Sequence, residues 1–235
     1  FPQYLWACTT DLGDSVQLTV AEVRELVLID GSSLAYRAFF ALPETIATSK
    51  GEPTNALLGF SQMLTRLITE HGVRPTIVAW DKGYSGRKEE YAEYKAGRAS
   101  RPDALKEQWP HFEDLVSAFG HLNASVEGFE ADDVIATLAE QAKADGIQVT
   151  IVTGDRDALQ LVDDGVTVMA TGRGVTDVKS YDRDAVVERY GVTPDLVPDL
   201  IGLKGDSSDN LPGVPGVGEK TAAALLQEYG SLEGV

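Results

Sequence analysis

The chain has 235 residues, 43% of them hydrophobic, enough for one large domain, or one plus a small appendage, with a full core. Its formal charge of −17, from 37 acidic against 20 basic residues, at face value counts against a nucleic-acid partner, whose phosphates call for a basic surface. No apolar run reaches ~18 residues, so no membrane span is expected, and the single cysteine, Cys8, excludes an internal disulfide framework and suits a reducing cytoplasm.

Residues 1–24 have weak periodicity and read as a loosely attached lead, with VAEVREL (20–26) a candidate short helix. The stretch lacks a signal-peptide pattern and an initiator Met, so a fragment is expected. LVLID (26–30) is then continuous and β-branched-rich, as in a strand buried on both faces. A helix through Leu34, Ala35, Phe39 and Phe40 follows. A second, over 54–70, turns Leu57, Phe60, Met63, Leu64, Leu67 and Ile68 to the core and ends at Gly72. TIVAWD (76–81) reads as the next strand. A polar, Gly- and Tyr-rich stretch (82–103) leads into a helix over about 104–119 that Pro110 kinks or delays. A helix over 132–145, a strand over 147–152, a helix over 157–162 and a strand over 166–170 follow. Thr193-Pro194 then starts a helix that ends near Lys204.

Nine carboxylates fall in five clusters: Asp30, Asp81, Glu130/Asp132/Asp133, Asp155/Asp157 and Asp206/Asp209. Asp30, Asp81 and Asp155 end or follow strand-like runs. Parallel strands joined by right-handed helical crossovers would bring those ends to one edge, with the 130–133 acids joining them from the start of a helix. Acids so gathered raise one another's pKa unless cations neutralise them, and a carboxylate set suits Mg²⁺ rather than Zn²⁺, which would want His or Cys. Only three His and one Cys are present, scattered. For any single acid a turn or helix-capping role is as good a reading; the paired acids are harder to explain that way.

The nine acids account for about half of the −17, and the local balance differs elsewhere. Lys82, Arg87, Lys88, Lys95, Arg98 and Arg101 against Glu89, Glu90 and Glu93 give the stretch 82–101 a net charge of +3. Near the C-terminus, Gly213, Gly216 and Gly218 punctuate a tight connection between two helices, with Lys220 beside it. Such a hairpin offers backbone N–H groups and a helix N-terminus to a phosphate, and reads no base edges.

LVLIDGSSLAYRAF, VAWDKG…YKAGR, EGFEADDVIATLA, TGDRDALQLV and GDSSDNLPGVPGVGEKTA together resemble the 5′-nuclease family, the 5′→3′ exonuclease or flap endonuclease domains of bacterial DNA polymerase I. The resemblance runs over roughly residues 26–233. It implies an α/β fold, with a PIN-like core over 25–190 (parallel-rich central sheet flanked by helices, with an arch at 82–103). A C-terminal helix–three-turn–helix element of helix-hairpin-helix type, binding DNA, would occupy 191–235. Because the family's domain continues for several helices past the hairpin, truncation at the C-terminal end is expected.

Carried over by motif, the family's metal ligands fall on Asp30, Asp81, Glu130, Asp132, Asp133, Asp155, Asp157, Asp206 and Asp209. They imply two ions, Mg²⁺ or Mn²⁺: Asp30, Asp81, Glu130 and Asp132 at the first; Asp155, Asp157 and Asp209 at the second; Asp133 and Asp206 acting partly through water. Lys95 and Arg98 of YKAGR, with Arg37 of LAYRAF, would act at the scissile phosphate. Tyr84, Tyr91 and Tyr94 would stack on unpaired bases, and Gly213, Gly216, Gly218 and Lys220 would hold the duplex, with K⁺ a further candidate at the hairpin.

The implied reaction is two-metal hydrolysis of DNA phosphodiesters at 5′ flaps, nicked or gapped duplexes and RNA-primed 5′ ends, in replication and repair. The implied setting is the cytoplasm of a bacterium, at the nucleoid, as a monomer, with a polymerase domain as a candidate covalent partner. A DNA-junction-binding module and a PIN-type ribonuclease are the competing readings. A pure binder gains nothing from acids placed near phosphates, and a PIN-type ribonuclease does not predict the 213–220 hairpin.

Overall fold

A computed structural model describes residues 24–172 and 178–235. The expected lead, with its candidate helix, Trp6 and Cys8, therefore lies outside the described residues apart from its junction with the first strand. Strands β1 (Glu25–Asp30), β2 (Thr76–Ala79), β3 (Leu122–Ala124), β4 (Gln148–Thr153), β5 (Val166–Thr171) and β6 (Val178–Tyr181) form one sheet in the order β3-β2-β1-β4-β5-β6. All pairings are parallel except that of β6 with β5.

β1 runs down the middle and alternates between two cores. Leu26 and Leu28 face helix α6 (Ala131–Ala144) and the C-terminal helices α7 (Arg183–Tyr190), α8 (Val197–Lys204) and α9 (Glu219–Tyr229). Ile29 faces α1 (Gly31–Ala41) and α2 (Asn55–His71), together with α4 (Asp103–Gln108) and α5 (Phe112–Ala118). Burial on both faces is why the strand reads as an uninterrupted apolar run. Gly31 lets α1 start hard against β2: a Cβ there would stand 2.7 Å from Val78 and 2.9 Å from Trp80.

Several expected elements take other forms. The helix over 104–119 is two helices, α4 and α5, separated by a 3₁₀ turn at Trp109–His111, because Pro110 has no N–H to give. Residues 157–161 are a 3₁₀ turn rather than an α-helix. Phe40 is 72% exposed. The buried face of α1 is Leu34, Ala35, Ala38 and Phe39, and the next residue is turned about 100° away from Phe39. Two edge strands, β3 and β6, and helix α7 join the expected set. No helix among the described residues is long and apolar enough to cross a membrane.

Candidate active site

Because β1, β2 and β4 are parallel, their carboxyl ends share an edge, and there the chain places Asp30, Asp81 and Asp155. Asp30 is 5% exposed and does two structural tasks. One oxygen accepts the Ser33 N–H at 2.9 Å, capping α1, and the other accepts the Thr153 hydroxyl at 2.9 Å, tying β1 to β4. Asp81 accepts the Ala131 N–H at 2.7 Å, fixing the start of α6 beside β2. Asp155 accepts the Asp157 N–H at 3.0 Å.

Crowding shows in the proton affinities. Burial, with the charges of Asp81 and Asp155 adding to it, pushes the Asp30 carboxyl up to about 7 against the hydrogen bonds from Ser33 and Thr153. Burial and then Asp30, Asp155 and Asp81 raise Asp132 to about 8. Burial and then Asp155, Asp206 and Asp209 raise Asp157 to about 7. Asp157, Asp206 and Asp209 each offer an oxygen within 4.8 Å of the others, close enough for one cation. That group differs from the expected second set, Asp155, Asp157 and Asp209, in bringing Asp206 into direct reach. The donors are hard oxygens, and cations would replace the protons the cluster otherwise retains, so the site fits divalent metal ions.

The basic stretch lies across this edge. It starts zipped to residues 126–129, with the Lys82 N–H on the Phe129 carbonyl at 2.9 Å and the Ser85 N–H on that of Gly128 at 2.8 Å. A short helix, α3 (Arg87–Glu90), follows. Further on, the Lys95 N–H reaches the Asp209 carbonyl at 3.0 Å, and Asn210 donates to the Glu93 carbonyl at 2.8 Å, docking the stretch on the 206–211 loop.

Three of its cations are paired with the acids. Lys95 Nζ donates to both Glu130 oxygens at 2.8 and 2.9 Å, and Arg98 to Asp209 at 2.7 Å. Arg87 grips Asp133 with two hydrogen bonds, 3.0 and 2.8 Å, and the Ser85 hydroxyl donates to the same carboxylate. Although burial pushes the Asp133 carboxyl up, these donors hold it below the usual carboxylate range. Asp133 also accepts the Glu130 N–H at 3.2 Å as half of a capping box on α6.

Tyr94 departs from expectation. Its ring is 6% exposed and its hydroxyl donates to Glu130 at 3.1 Å, so it cannot stack on a base; Tyr84 and Tyr91 remain exposed. Burial and then Glu130 drive its phenol pKa up. Arg37, in the second turn of α1, comes within 3.1 Å of where a Cβ on Gly154 would stand, next to Asp155. Glu130, Asp132, Asp155, Asp157 and Asp209 share a cleft of about 420 Å³ with Arg87 and Tyr94. The supporting partners Ser85 and Arg87 carry no motif of their own, although Arg87 stood out within the basic stretch; Thr153 opens TGDRDALQLV but was given no role there.

The hairpin divides into two roles. Gly213 closes it, since a Cβ there would overlap the Lys204–Gly205 backbone. Gly216, at φ +82°, and Gly218, the N-cap of α9, face open space, and Lys220 is exposed beside them.

Residues 25–191 match the family described as "5'-3' exonuclease, N-terminal resolvase-like domain", and residues 192–235 match "5'-3' exonuclease, C-terminal SAM fold". Similar proteins include DNA polymerase I of Bacillus caldotenax, 48% identical over 213 residues that cover 90% of this chain and 24% of the relative. DNA polymerase I of Mycobacterium bovis is 50% identical over 209 residues, covering 88% and 23%. The chain thus spans about a quarter of the length of these relatives. Among solved structures, the bacteriophage T5 flap endonuclease in a complex with DNA and metal ions is 26% identical with a TM-score of 0.70, over 89% of this chain and 77% of that one. Flap endonuclease-1 from Methanococcus jannaschii, 22% identical with a TM-score of 0.54 over 87% and 71%, shares the fold. With the N-terminal match alone taking in well over half of its residues, the chain belongs to the 5'-3' exonuclease family.

Proposed function

We propose that this chain is a divalent-metal-dependent 5′-nuclease that hydrolyses DNA phosphodiesters at 5′ flaps, nicks and RNA-primed ends, in replication and repair. The observation that carries this reading is the convergence, at one sheet edge, of carboxylates from β1, β2, α6, β4 and the 206–211 loop, with a cationic segment folded over them. When bound, two divalent cations, Mg²⁺ or Mn²⁺, supply the activated water and the charge stabilisation of a two-metal hydrolysis.

The chain's own groups do the rest. Asp30, Asp81, Glu130 and Asp132 face the first position, and Asp157, Asp206 and Asp209, with Asp155 adjoining, the second. Arg98 stands at the rim and Lys95 deeper, on Glu130, and both would balance charge building on the scissile phosphate, with Arg37 near Asp155. Tyr84 and Tyr91 are the exposed rings on which an unpaired base would stack. Gly216, Gly218 and Lys220 present N–H groups and a charge to a duplex phosphate, without regard to sequence. A polymerase domain fused to this chain and a monomeric state complete the proposal.

The test is cleavage of a 5′-labelled double-flap DNA with Mg²⁺, with EDTA, and with the Asp155→Asn/Asp157→Asn double variant, beside a structured RNA. Cutting near the flap junction that needs both ion and acids is expected. Binding without cutting would favour a junction-binding module, and cutting of RNA alone a ribonuclease.

A further inference from the structure

The cations of the 82–101 stretch differ in what they touch. Arg87, Lys95 and Arg98 are each on a carboxylate of the acidic cluster, Lys82 lies 3.7 Å from Glu113, and Lys88 lies 3.6 Å over the exposed ring of Tyr84. Arg101 makes neither an ion pair nor a hydrogen bond among the described residues, and its Nε is buried without a partner. Its guanidinium carbon instead lies over an aromatic platform, 3.3 Å from the Trp109 ring centre and 6.0 Å from that of Tyr36.

The platform is packed into the core, on elements that also carry two of the acids. Trp109 packs edge-on to Trp80 at 5.9 Å and to Phe112 at 5.7 Å, and Trp80 is the residue immediately before Asp81. Tyr36 stands on α1, the helix that Asp30 caps, six residues and so about 9 Å along the axis from Asp30 at about 1.5 Å per residue. The backbone is fixed as well: Pro102 follows Arg101, and its carbonyl receives the Leu105 and Lys106 N–H groups at the start of α4. Arginine carries five donors, and buried polar atoms normally find partners. A planar guanidinium held by stacking and left without an acid is preorganised for a planar or tetrahedral oxyanion.

We propose that Arg101 is a phosphate-contacting residue for the DNA strand carrying the scissile bond, outside the YKAGR motif and additional to Lys95 and Arg98. The inference rests on the nuclease reading above. Stacking on Trp109 aims the guanidinium, and its unused N–H groups grip one backbone phosphate beside the cleft. Arg101 is a binding and positioning residue, with no part in bond breaking.

The test is a fluorescence-anisotropy titration of labelled 5′-flap DNA in EDTA over a series of KCl concentrations, using the wild-type chain, Arg101→Ala and Arg101→Lys, with thermal melts confirming that each is folded. Loss of one phosphate contact lowers the slope of log K against log [salt] by about 0.7 to 0.9. Arg101→Ala is expected to show that drop, and Arg101→Lys to restore the slope while binding more weakly for want of the planar stack. An unchanged slope in Arg101→Ala, with or without a lower melting temperature, would make Arg101 only a structural pin and overturn the inference. A wild-type chain that binds no flap DNA would instead remove the nuclease reading, and this inference with it.

Discussion

Replacing Lys95 with Met should destabilise the metal-free protein and spare the metal-loaded one. Lys95 and Glu130 are 10% and 5% exposed at the side chain and 2.8 Å apart, so removing the cation strands a buried carboxylate. Breaking such a pair typically costs ~3 to 5 kcal/mol. The Tyr94 hydroxyl at 3.1 Å and Arg87 at 3.6 Å still serve Glu130, which favours the low end, about 3 kcal/mol. For a chain of this size that corresponds to a fall of about 6 to 12 °C in Tm. The assay is a pair of thermal melts, in EDTA and in excess Mg²⁺. The deficit should be full in EDTA and narrow with Mg²⁺, because a cation facing Glu130 restores the missing positive charge. Where the cost is met by lifting the 82–101 stretch rather than by global unfolding, hydrogen exchange in that stretch reports it instead. Equal melting and equal exchange of the two proteins in EDTA, or a deficit indifferent to Mg²⁺, would refute the counter-ion role of Lys95.

The raised carboxyls set a pH dependence. Asp30, Asp132 and Asp157 bind protons more tightly folded, at about 7, 8 and 7, than at their ordinary 3.8, so the stability they lend is full below about pH 4 and is lost as pH rises to about 8. His121, whose pKa burial lowers, opposes them with a single proton at its acidic end. In EDTA the melting temperature should therefore decline from pH 6 to about pH 8, and Mg²⁺ should flatten that decline; a rise over the same range in EDTA would contradict the clustering. Tyr94→Phe removes one hydrogen bond to Glu130 and should cost about 1 kcal/mol while leaving flap-DNA affinity intact, whereas a large affinity loss in a titration would restore a stacking role. Gly213→Ala should destabilise by more than ~1 kcal/mol in a denaturant titration, since a Cβ meets the Lys204–Gly205 backbone; a neutral result would mean the hairpin closes differently. At constant ionic strength, exchanging K⁺ for Ca²⁺ should tighten flap-DNA binding of the wild type but not of Asp155→Asn/Asp157→Asn, as anisotropy would show; equal responses would place the ions elsewhere.

Strands β1, β2, β4 and β5 were legible because the sheet buries them on both faces, so each is an apolar run, and in β1, β2 and β4 an acid stands at or after the end. β3 and β6, LNA and VKSY, are edge strands with too few apolar residues to announce themselves. Helix α7 was legible in principle, since Asp182 caps it through the Ala185 N–H and Gly191 ends it at φ +73°, but its single buried stripe is short. The acids were legible through their motifs. Their partners were not: Thr153 meets Asp30 across 123 positions and Lys95 meets Glu130 across 35, distances at which local pattern says nothing. Tyr94 misled because a polar segment suggests solvent-facing rings, while this one ring is drawn under Glu130.

The charge balance, the strongest objection to a DNA partner, dissolves on the same geometry. Glu130, Asp132, Asp133, Asp155, Asp157 and Asp209 line one cleft rather than a general acidic surface. In that cleft burial and mutual repulsion raise the Asp132 and Asp157 carboxyls, and Arg87, Lys95 and Arg98 turn inward onto Asp133, Glu130 and Asp209, so these three cations are engaged with carboxylates. Divalent ions at the same carboxylates would relieve both conditions at once: protons leave, and the basic side chains have less reason to stay. Net charge alone therefore misjudges this chain, because its clustered acids and three of its cations neutralise each other, and on the proposed reading divalent ions and a phosphate would take those places.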